Sequence, residues 1–383
     1  MEITADTWAA GSAQLADAGV TIGANVRVSV GDFTVGAGVV IRDNVTIVAD
    51  SLELGDGVVI DAGCDLRSGR ISLGRRTELQ RNVRVLVADS FVVAEAGRVE
   101  RDVSITCRSF EAGRLLYLGN DSSVGYGGTT ASTSHVKIGD RVAIGPHSIL
   151  NANDSITFED QVGSGCYLSV WTHGFHFGHR LLDGYEATLA PVHVARNAWL
   201  GYHVTLLPGT TIGENTILAA GAVAASDLPA NVLAAGIPAT VKRELSATVM
   251  KDDVARERID GIMSAWVAEL DWKGYSARLI DDGVVEFEQS HLFYLDAPGT
   301  DRGAAGEQRR VVVLSLEDKP RPEHGGDGSL TFLLRSGVLI GELDAVSHDL
   351  RDFLRRHALP CGDQHCFESL PNKRFQRLVN TFA

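Results

Sequence analysis

The residues best suited to chemistry are three histidines in one short run, W-T-H-G-F-H-F-G-H-R, which sets His173, His176 and His179 three apart and ends on Arg180. An imidazole exchanges its proton near pH of about 6.5, so it can take a proton from a hydroxyl or amine in neutral solution. Histidines, an arginine and several aromatics gathered in one stretch have the composition of a site rather than of a linker. Asn151 and Asn153 follow Leu150, and their side-chain amides are able to read hydroxyl groups. The plainer reading is that these asparagines stack at turns, since asparagine tolerates left-handed backbone. His176 and His179 are candidates for the same substrate contacts. Glu159 and Asp160 in F-E-D-Q-V read as turn residues, and the polar break from Gly125 to His135 reads as a loop without chemistry.

What must hold such a run is written in the spacing of the aliphatic residues. Steps of six from Ile138 meet Ile144, Leu150, Ile156, Val162 and Leu168; steps of six from Val194 meet Leu200, Leu206, Ile212 and Leu218. Four residues after each member of the second set come Ala198, Val204, Thr210, Thr216 and Ala222, all small or β-branched. A helix repeats near 3.6 and a strand near 2, so a period of six means short strands joined by tight turns. Earlier in the chain Val35, Leu54 and Leu73 lie 19 apart, as do Ile41, Ile60 and Leu79, and Ile47, Leu66 and Val85. Three hexads and one extra residue per turn predict a triangular prism, with coils stacked in parallel and aliphatic ladders inside. An antiparallel sandwich does not keep a register of six over so many steps. Gly36, Gly55 and Gly74 suggest a corner that needs freedom in φ.

After Leu168 the six-step lands on Gly174, Arg180 and Glu186, and the pattern resumes near Val192. The stretch 171–191 is therefore a loop ejected from the prism, and it carries the histidines. The expected organisation is an N-terminal cap over 1–19, a β-helix over 20–243 and a small α+β domain over 244–383. In the last part a helical pattern covers Leu245 to Leu270. Strand-like runs follow at Gly283–Tyr294, Arg309–Leu316 and Ser329–Ile340, and helical patterns at Leu343–Arg356 and Leu370–Phe382. Recognition of an acceptor, docking of a partner and oligomerisation all stay open for it.

The chain has 383 residues and a formal net charge of −14, which argues against non-specific binding to nucleic acid or to an anionic membrane. No apolar run reaches the length of a membrane span, and Met1 to Ala10 lacks the basic and apolar parts of a signal peptide. Cys64, Cys107, Cys166, Cys361 and Cys366 form no CxxC pair, and read as reduced thiols in a cytoplasmic protein. His365 between the last two reads as incidental.

From about Ile138 to Arg243 the chain resembles the galactoside and maltose O-acetyltransferase branch of the hexapeptide-repeat acyltransferases. The resemblance rests on T-H-G-F-H, then N-A-W-L-G-Y-H-V-T-L-L-P-G-T-T-I-G-E-N-T-I-L-A-A-G-A-V, then S-D-L-P-A-N-V-L-A-A-G-I-P-A. It implies a left-handed parallel β-helix, so the expected fold is mainly β. It also implies acetyl-CoA as acyl donor, a homotrimer with active sites between subunits, and no metal. By position His173 matches the catalytic histidine. Trp199, Gly201 and Tyr202 match the stretch along the pantetheine arm, and Ala220 a backbone contact to it. Ser226 stands where lysine is frequent and Thr240 where arginine is common, while Lys242 and Arg243 keep basic groups for the nucleotide phosphates.

Acyl transfer from a thioester needs a base, an oxyanion donor and a slot for the carrier. The expected reaction is direct attack of an acceptor hydroxyl, or amine, on the acetyl carbonyl with His173 as base. The acceptor would be a sugar, a glycan precursor or a similar small molecule. One alternative on the same fold is a γ-type carbonic anhydrase, whose zinc needs histidines from adjacent subunits; His173, His176 and His179 on one loop do not show that spread. Another is a non-catalytic β-helix scaffold, which has no need of a histidine-rich loop.

Overall fold

The computed structural model describes residues 5–125, 131–174, 178, 180–281, 284–288, 290–296, 310–317, 330–362 and 369–376. They divide into two compact units, Met1–Ser246 and Ala247–Ala383.

The first unit is a parallel β-helix with three flat faces. Face A stacks eleven short parallel strands, from Thr21–Ile22 through Gly163–Ser164, Trp199–Leu200 and Ile217–Leu218 to Val232–Ala235. Antiparallel Thr240–Glu244 closes its end. Faces B and C begin as the two halves of long strands such as Thr46–Leu54 and Asp65–Leu73, which run continuously round the B/C corner. From Ser104–Ala112 onward the halves separate. Face B continues through Ser123–Val124, Ile149–Asn151, Ser169–Trp171 and Thr205–Leu206. Face C continues through His135–Ile138, Ile156–Phe158 and Val192–Val194.

The early ladders are those read from the sequence: Val35, Leu54 and Leu73 pair in register, as do Ile41, Ile60 and Leu79, and Ile47, Leu66 and Val85. The last of these runs the length of the prism as Val28, Ile47, Leu66, Val85, Ile105, Val124, Leu150, Val170, Leu206 and Ala224, none more than 2% exposed. Each large aliphatic member contributes about 1.5–3 kcal/mol by burial. The thiols of Cys64 and Cys107 lie in this core, where burial pushes both up to about 12, so they pack as hydrophobes and are not nucleophiles. Helix α1 (Ala5–Asp17) lies against the first coil. A Cβ on its Gly11 would stand 2.2 Å from the Val28 carbonyl oxygen, and Leu15 is fully buried.

Two readings are corrected. The steps of six from Ile138 do not stay on one ladder: Ile138 pairs with Phe158, 20 residues on, and Ile156 pairs with Val136. Two additional residues enter after Leu150. Ile156, Val162 and Leu168 are buried, but each sits two residues before the ladder position of its hexad. Coils of 18 residues come later, where Val194 pairs with Ile212 and Leu200 with Leu218. Gly36, Gly55 and Gly74, in turn, are not at positive φ. They are glycines because the next coil passes too close: a Cβ on Gly55 would lie 2.6 Å from the Arg75 nitrogen. Positive φ falls instead in two columns at the other turn positions. One contains Asn25, Asn44, Gly63 and Asn82 at the A/B corner; the other contains Gly38, Gly57, Asn197 and Asn215 at the C/A corner.

The second unit is α+β. A six-stranded mixed sheet has the order Ala277–Asp281, Val284–Phe287, His291–Asp296, Arg310–Ser315, Leu330–Leu333, Val338–Ile340. It packs with helices α2 (Asp252–Lys273) and α3 (Ala345–Arg356) around Met263, Trp266, Phe293, Phe332 and Leu350. The expected runs at 283–294 and 329–340 are each two strands, and α2 starts at Asp252, where Asp252 and Asp253 favour a helix N-terminus. Buried Asp349 joins the helices: it accepts from Trp266 Nε1 at 2.9 Å, from the Leu370 N–H at 2.7 Å and from Lys273 Nζ. Asp344 caps α3 in a reciprocal box with Ser347, and its carboxylate also meets His291 Nε2 at 2.6 Å and Arg310 Nη1 at 3.0 Å. Burial opposes its charge. The hydrogen bonds from His291 and Ser347 outweigh that and hold the carboxyl well below the usual carboxylate range.

Two predictions follow from these contacts. Gly55→Ala destabilises the β-helix by about 1–3 kcal/mol through overpacking, whereas Gly57→Asn, at φ +66° with nothing nearer than 3.7 Å, changes it by less than about 1 kcal/mol; urea unfolding compares them. Because the Asp344 pKa is depressed on folding, its contribution is present above an unfolded value of about 3.9 and fades as pH falls below it. Asp344→Asn therefore lowers the stability of the second unit at pH 7, and the gap from wild type narrows below about pH 4. A gap that stays constant with pH removes the charge from the explanation.

Candidate active site

Every departure from the regular coil on faces B and C falls at the B/C corner: the bend in the long strands, the break after Gly125, the turn at Ala152–Ser155 and the ejected loop. His173 stands at the root of that loop. Trp171 ends a face B strand in register with Asn151 of the coil beneath. His173 and Gly174 then pair antiparallel with Leu189 and Thr188, so the two ends of the loop clasp each other. The indole of Trp171 meets the His173 ring edge-to-face at 6.0 Å.

Thr172 fixes this root, and the sequence reading passed over it. It is fully buried. Its hydroxyl donates to the Asn151 carbonyl at 2.7 Å and accepts the N–H groups of Asn153 and Asp154 at 2.8 and 2.9 Å. Its own carbonyl accepts the Ala190 N–H at 3.0 Å. The coil below holds the same turn from the other side: Thr133 Oγ1 donates to the Asn153 carbonyl at 2.8 Å and Ser134 Oγ to that of Ala152. Asn151 and Asn153 thus lie directly beneath the His173 root, Asn151 buried and Asn153 half-buried. Where the loop rejoins face C, His193 Nε2 meets Glu159 at 3.0 Å, and the same carboxylate accepts the Arg196 N–H at 3.0 Å. Glu159 therefore has the turn role expected of it. His176 and His179 lie outside the described residues. Among the described residues no three metal-ligating side chains converge.

The residues matched to the carrier lie elsewhere. Trp199 is an outward residue of face A, 49% exposed, in one ladder with Gly163, Ile217, Leu233 and Arg243. Its indole covers Gly163, where a Cβ would come within 2.8 Å of the ring. Gly201 has no room for a side chain either, since a Cβ would lie 2.7 Å from the Ala220 nitrogen. Tyr202 and Ala220 are exposed at the adjoining A/B corner, where Tyr202 packs edge-on against Tyr167 at 5.7 Å. Arg243 and Lys242 are exposed on the closing strand, Lys242 at a bulge with its Nζ on Thr240 Oγ1 at 2.8 Å. One face and its corner thus gather Trp199, Gly201, Tyr202, Ala220, Lys242 and Arg243. Ser226 does not join them: it is exposed at the B/C corner, between Ala224 of face B and Leu228 of face C. In a triangular prism the B/C corner is opposite face A, so one chain does not bring His173 and this strip together.

No family model matches the chain. Over 137 residues it is 32% identical to the galactoside O-acetyltransferase of Escherichia coli (strain K12), covering 36% of this chain and 58% of that protein. A putative acetyltransferase of Schizosaccharomyces pombe is 31% identical over 160 residues, 42% of this chain and 66% of its own length. A putative acetyltransferase of Staphylococcus aureus (strain Mu50 / ATCC 700699) is 40% identical over 88 residues, 23% of this chain and 43% of that one. The chain thus spans between 43% and 66% of the length of these relatives. Solved structures alike in part include a galactoside acetyltransferase in complex with coenzyme A, 25% identical with TM-score 0.28, covering 37% of this chain and 70% of that one. A hexapeptide-repeat acetyltransferase of Vibrio cholerae complexed with acetyl coenzyme A is 26% identical with TM-score 0.28, covering 34% and 72%. Fold and sequence agree on the class: the first unit is a hexapeptide-repeat β-helix, and over part of its length it is similar to acetyltransferases. Within that class its coils are similar to the galactoside and maltose O-acetyltransferases.

The contact between Trp199 and Gly163 makes a prediction. Gly163→Val must lift the indole from face A, and Trp199 then becomes more open to acrylamide quenching, read as the difference between the variant with and without Trp199→Phe. Unchanged quenching means the ring does not rest on Gly163.

Proposed function

We propose that the chain transfers an acetyl group from acetyl-CoA to a hydroxyl, or less readily an amine, of a sugar, glycan precursor or similar small molecule. The observation that carries this reading is the face A ladder from Trp199 to Arg243. It spans three inter-strand steps, about 14 Å, with an aromatic ring at one end and cationic side chains at the other. A pantetheine arm suits the apolar part, where Gly163 and Gly201 keep the surface low. The nucleotide phosphates suit Lys242 and Arg243.

His173 acts as general base. It takes the proton of the acceptor hydroxyl as the oxygen attacks the acetyl carbonyl carbon. The carbon–sulfur bond then breaks, and protonated His173 returns the proton to the departing thiolate. Asn151 and Asn153 lie where they could position the acceptor from the coil beneath.

Because His173 is opposite the carrier strip, a complete site needs the corner of one copy against face A of another. A head-to-tail contact closes into a ring when the rotation between copies is a whole fraction of a turn; we propose a third of a turn, a homotrimer with three sites between subunits.

Two measurements test this. His173→Ala should lower kcat by about 10²–10⁴-fold with acetyl-CoA affinity unchanged, while Trp199→Ala should weaken acetyl-CoA binding. Full activity of His173→Ala would falsify the assigned base, and absence of acetyl-CoA binding by the wild type ends the acyltransferase reading. Co-refolding the two variants should restore activity at about one quarter of the interfaces by random mixing, because each supplies the half that the other lacks. No recovery in mixed oligomers means that the site lies within one chain.

A further inference from the structure

The hydroxyl of Thr172 donates one hydrogen bond and accepts two, all to backbone of the coil beneath, and so uses its full capacity inside the protein. The residue after it is His173. The three groups that it holds belong to Asn151, Asn153 and Asp154, the turn that bears both candidate acceptor amides. Its backbone adds a bond from its N–H to the Asn151 carbonyl at 3.2 Å and one from Ala190 at the far end of the loop. One side chain therefore ties together the start of the loop, its end and the turn below.

We propose that Thr172 is a positioning residue. Its buried hydroxyl sets the direction in which His173 leaves the coil and keeps the Asn151–Asp154 turn at a fixed height beneath it. This rests on the acyltransferase reading of His173. The physical reason is the cost of displacement: a shift of about 1 Å in a reacting group can lower a rate about 10²-fold. Valine has the shape of threonine but leaves two N–H groups and a carbonyl without the hydroxyl. The turn and the loop root must then move apart to find other partners. Serine keeps the hydroxyl and loses only a methyl group.

The next coil supplies a control at the same corner. Thr210 is also buried, and its hydroxyl donates to the Ala224 carbonyl at 3.3 Å, but no loop springs from it. The test compares Thr172→Val, Thr172→Ser and Thr210→Val in the full chain, with acetyl-CoA as donor and methyl galactoside and methyl glucoside as acceptors. Thr172→Val should lower kcat by about 10–100-fold with KM for acetyl-CoA within about twofold, and Thr172→Ser should restore kcat to within about threefold of wild type. Thr210→Val should lower Tm and leave kcat nearly unchanged. Wild-type kcat in Thr172→Val overturns the proposal, as does a kcat loss in Thr210→Val as large as that in Thr172→Val. If Thr172→Val does not fold, the series Thr172, Thr172→Ser and Thr172→Cys takes its place. A kcat that falls as the hydrogen bond weakens supports the role, and a flat series overturns it.

A second readout is independent of turnover. In protein labelled with carbon-13 at histidine Cε1, the His173 resonance, assigned by its loss in His173→Asn, should shift or broaden in Thr172→Val and be unchanged in Thr172→Ser and Thr210→Val. A resonance unmoved in Thr172→Val overturns the positioning role. If the wild type neither binds acetyl-CoA nor acetylates the sugars, the acyltransferase reading falls, and this comparison still decides whether Thr172 fixes His173.

Discussion

The hydrogen bond from each coil to the next is the constraint on which the β-helix depends. The N–H of Thr21 meets the Val39 carbonyl at 3.0 Å, and far along the same face that of Gly201 meets Leu218 at 2.9 Å. This spacing leaves no freedom along the axis, so every coil must present the same outline to its neighbours. Large aliphatics stack into ladders because equal inner positions fall above one another. Gly36, Gly55 and Gly74 stay glycine because the next backbone occupies the place of a side chain.

The same constraint decides where the chain can vary. At the A/B and C/A corners the turns are closed by residues of left-handed conformation, whose asparagine amides also bond coil to coil, as between Asn197 and Asn215 at 3.1 Å. An insertion there would break a stacked column. The B/C corner has no such column. It absorbs one extra residue in the early coils, two near Asn153 and a whole loop after Trp171 without disturbing the faces on either side. A loop with histidines can emerge at that corner at little cost to the ladders. Hydroxyl groups at Thr133, Ser134 and Thr172 then take over the work of the missing turn by bonding the carbonyls of the neighbouring coil.

The ladders were legible in the sequence because a side chain inside a prism has only one kind of acceptable neighbour, and Ile41, Ile60 and Leu79 announce it by type alone. The slip after Leu150 was not, because Ile156 and Phe158 are both apolar and both buried, so either can continue the count. The ejected loop was visible as a failure of the pattern, and the resemblance singled out His173 among its three histidines. Thr172 was hidden for a simple reason: threonine is an ordinary β-helix residue, and nothing in its type tells which backbone groups its hydroxyl will meet. Ser226 was read with the carrier residues by likeness of position; within one chain the fold puts it at the B/C corner, the corner of His173, because succession along the chain does not say which side of a prism a residue faces. In the second unit, periodicity gave the kinds of elements but merged strands that a short turn separates, as at Leu330–Leu333 and Val338–Ile340.

The division between rigid faces and one permissive corner also divides the chemistry. A face of parallel strands with its outward column pared to Gly163, Trp199, Ile217 and Leu233 is flat and stiff, which suits a carrier that is the same in every turnover. The corner above Asn151 and Asn153 is built from loops, whose length and composition can change without altering the ladders, which suits an acceptor. What links the two is distance: the face and the corner are on opposite sides of one prism, and the proposed oligomer is what brings one copy's corner to another copy's face. On that reading the stacking that makes the coil so regular is also the reason that the site cannot be completed by one chain alone.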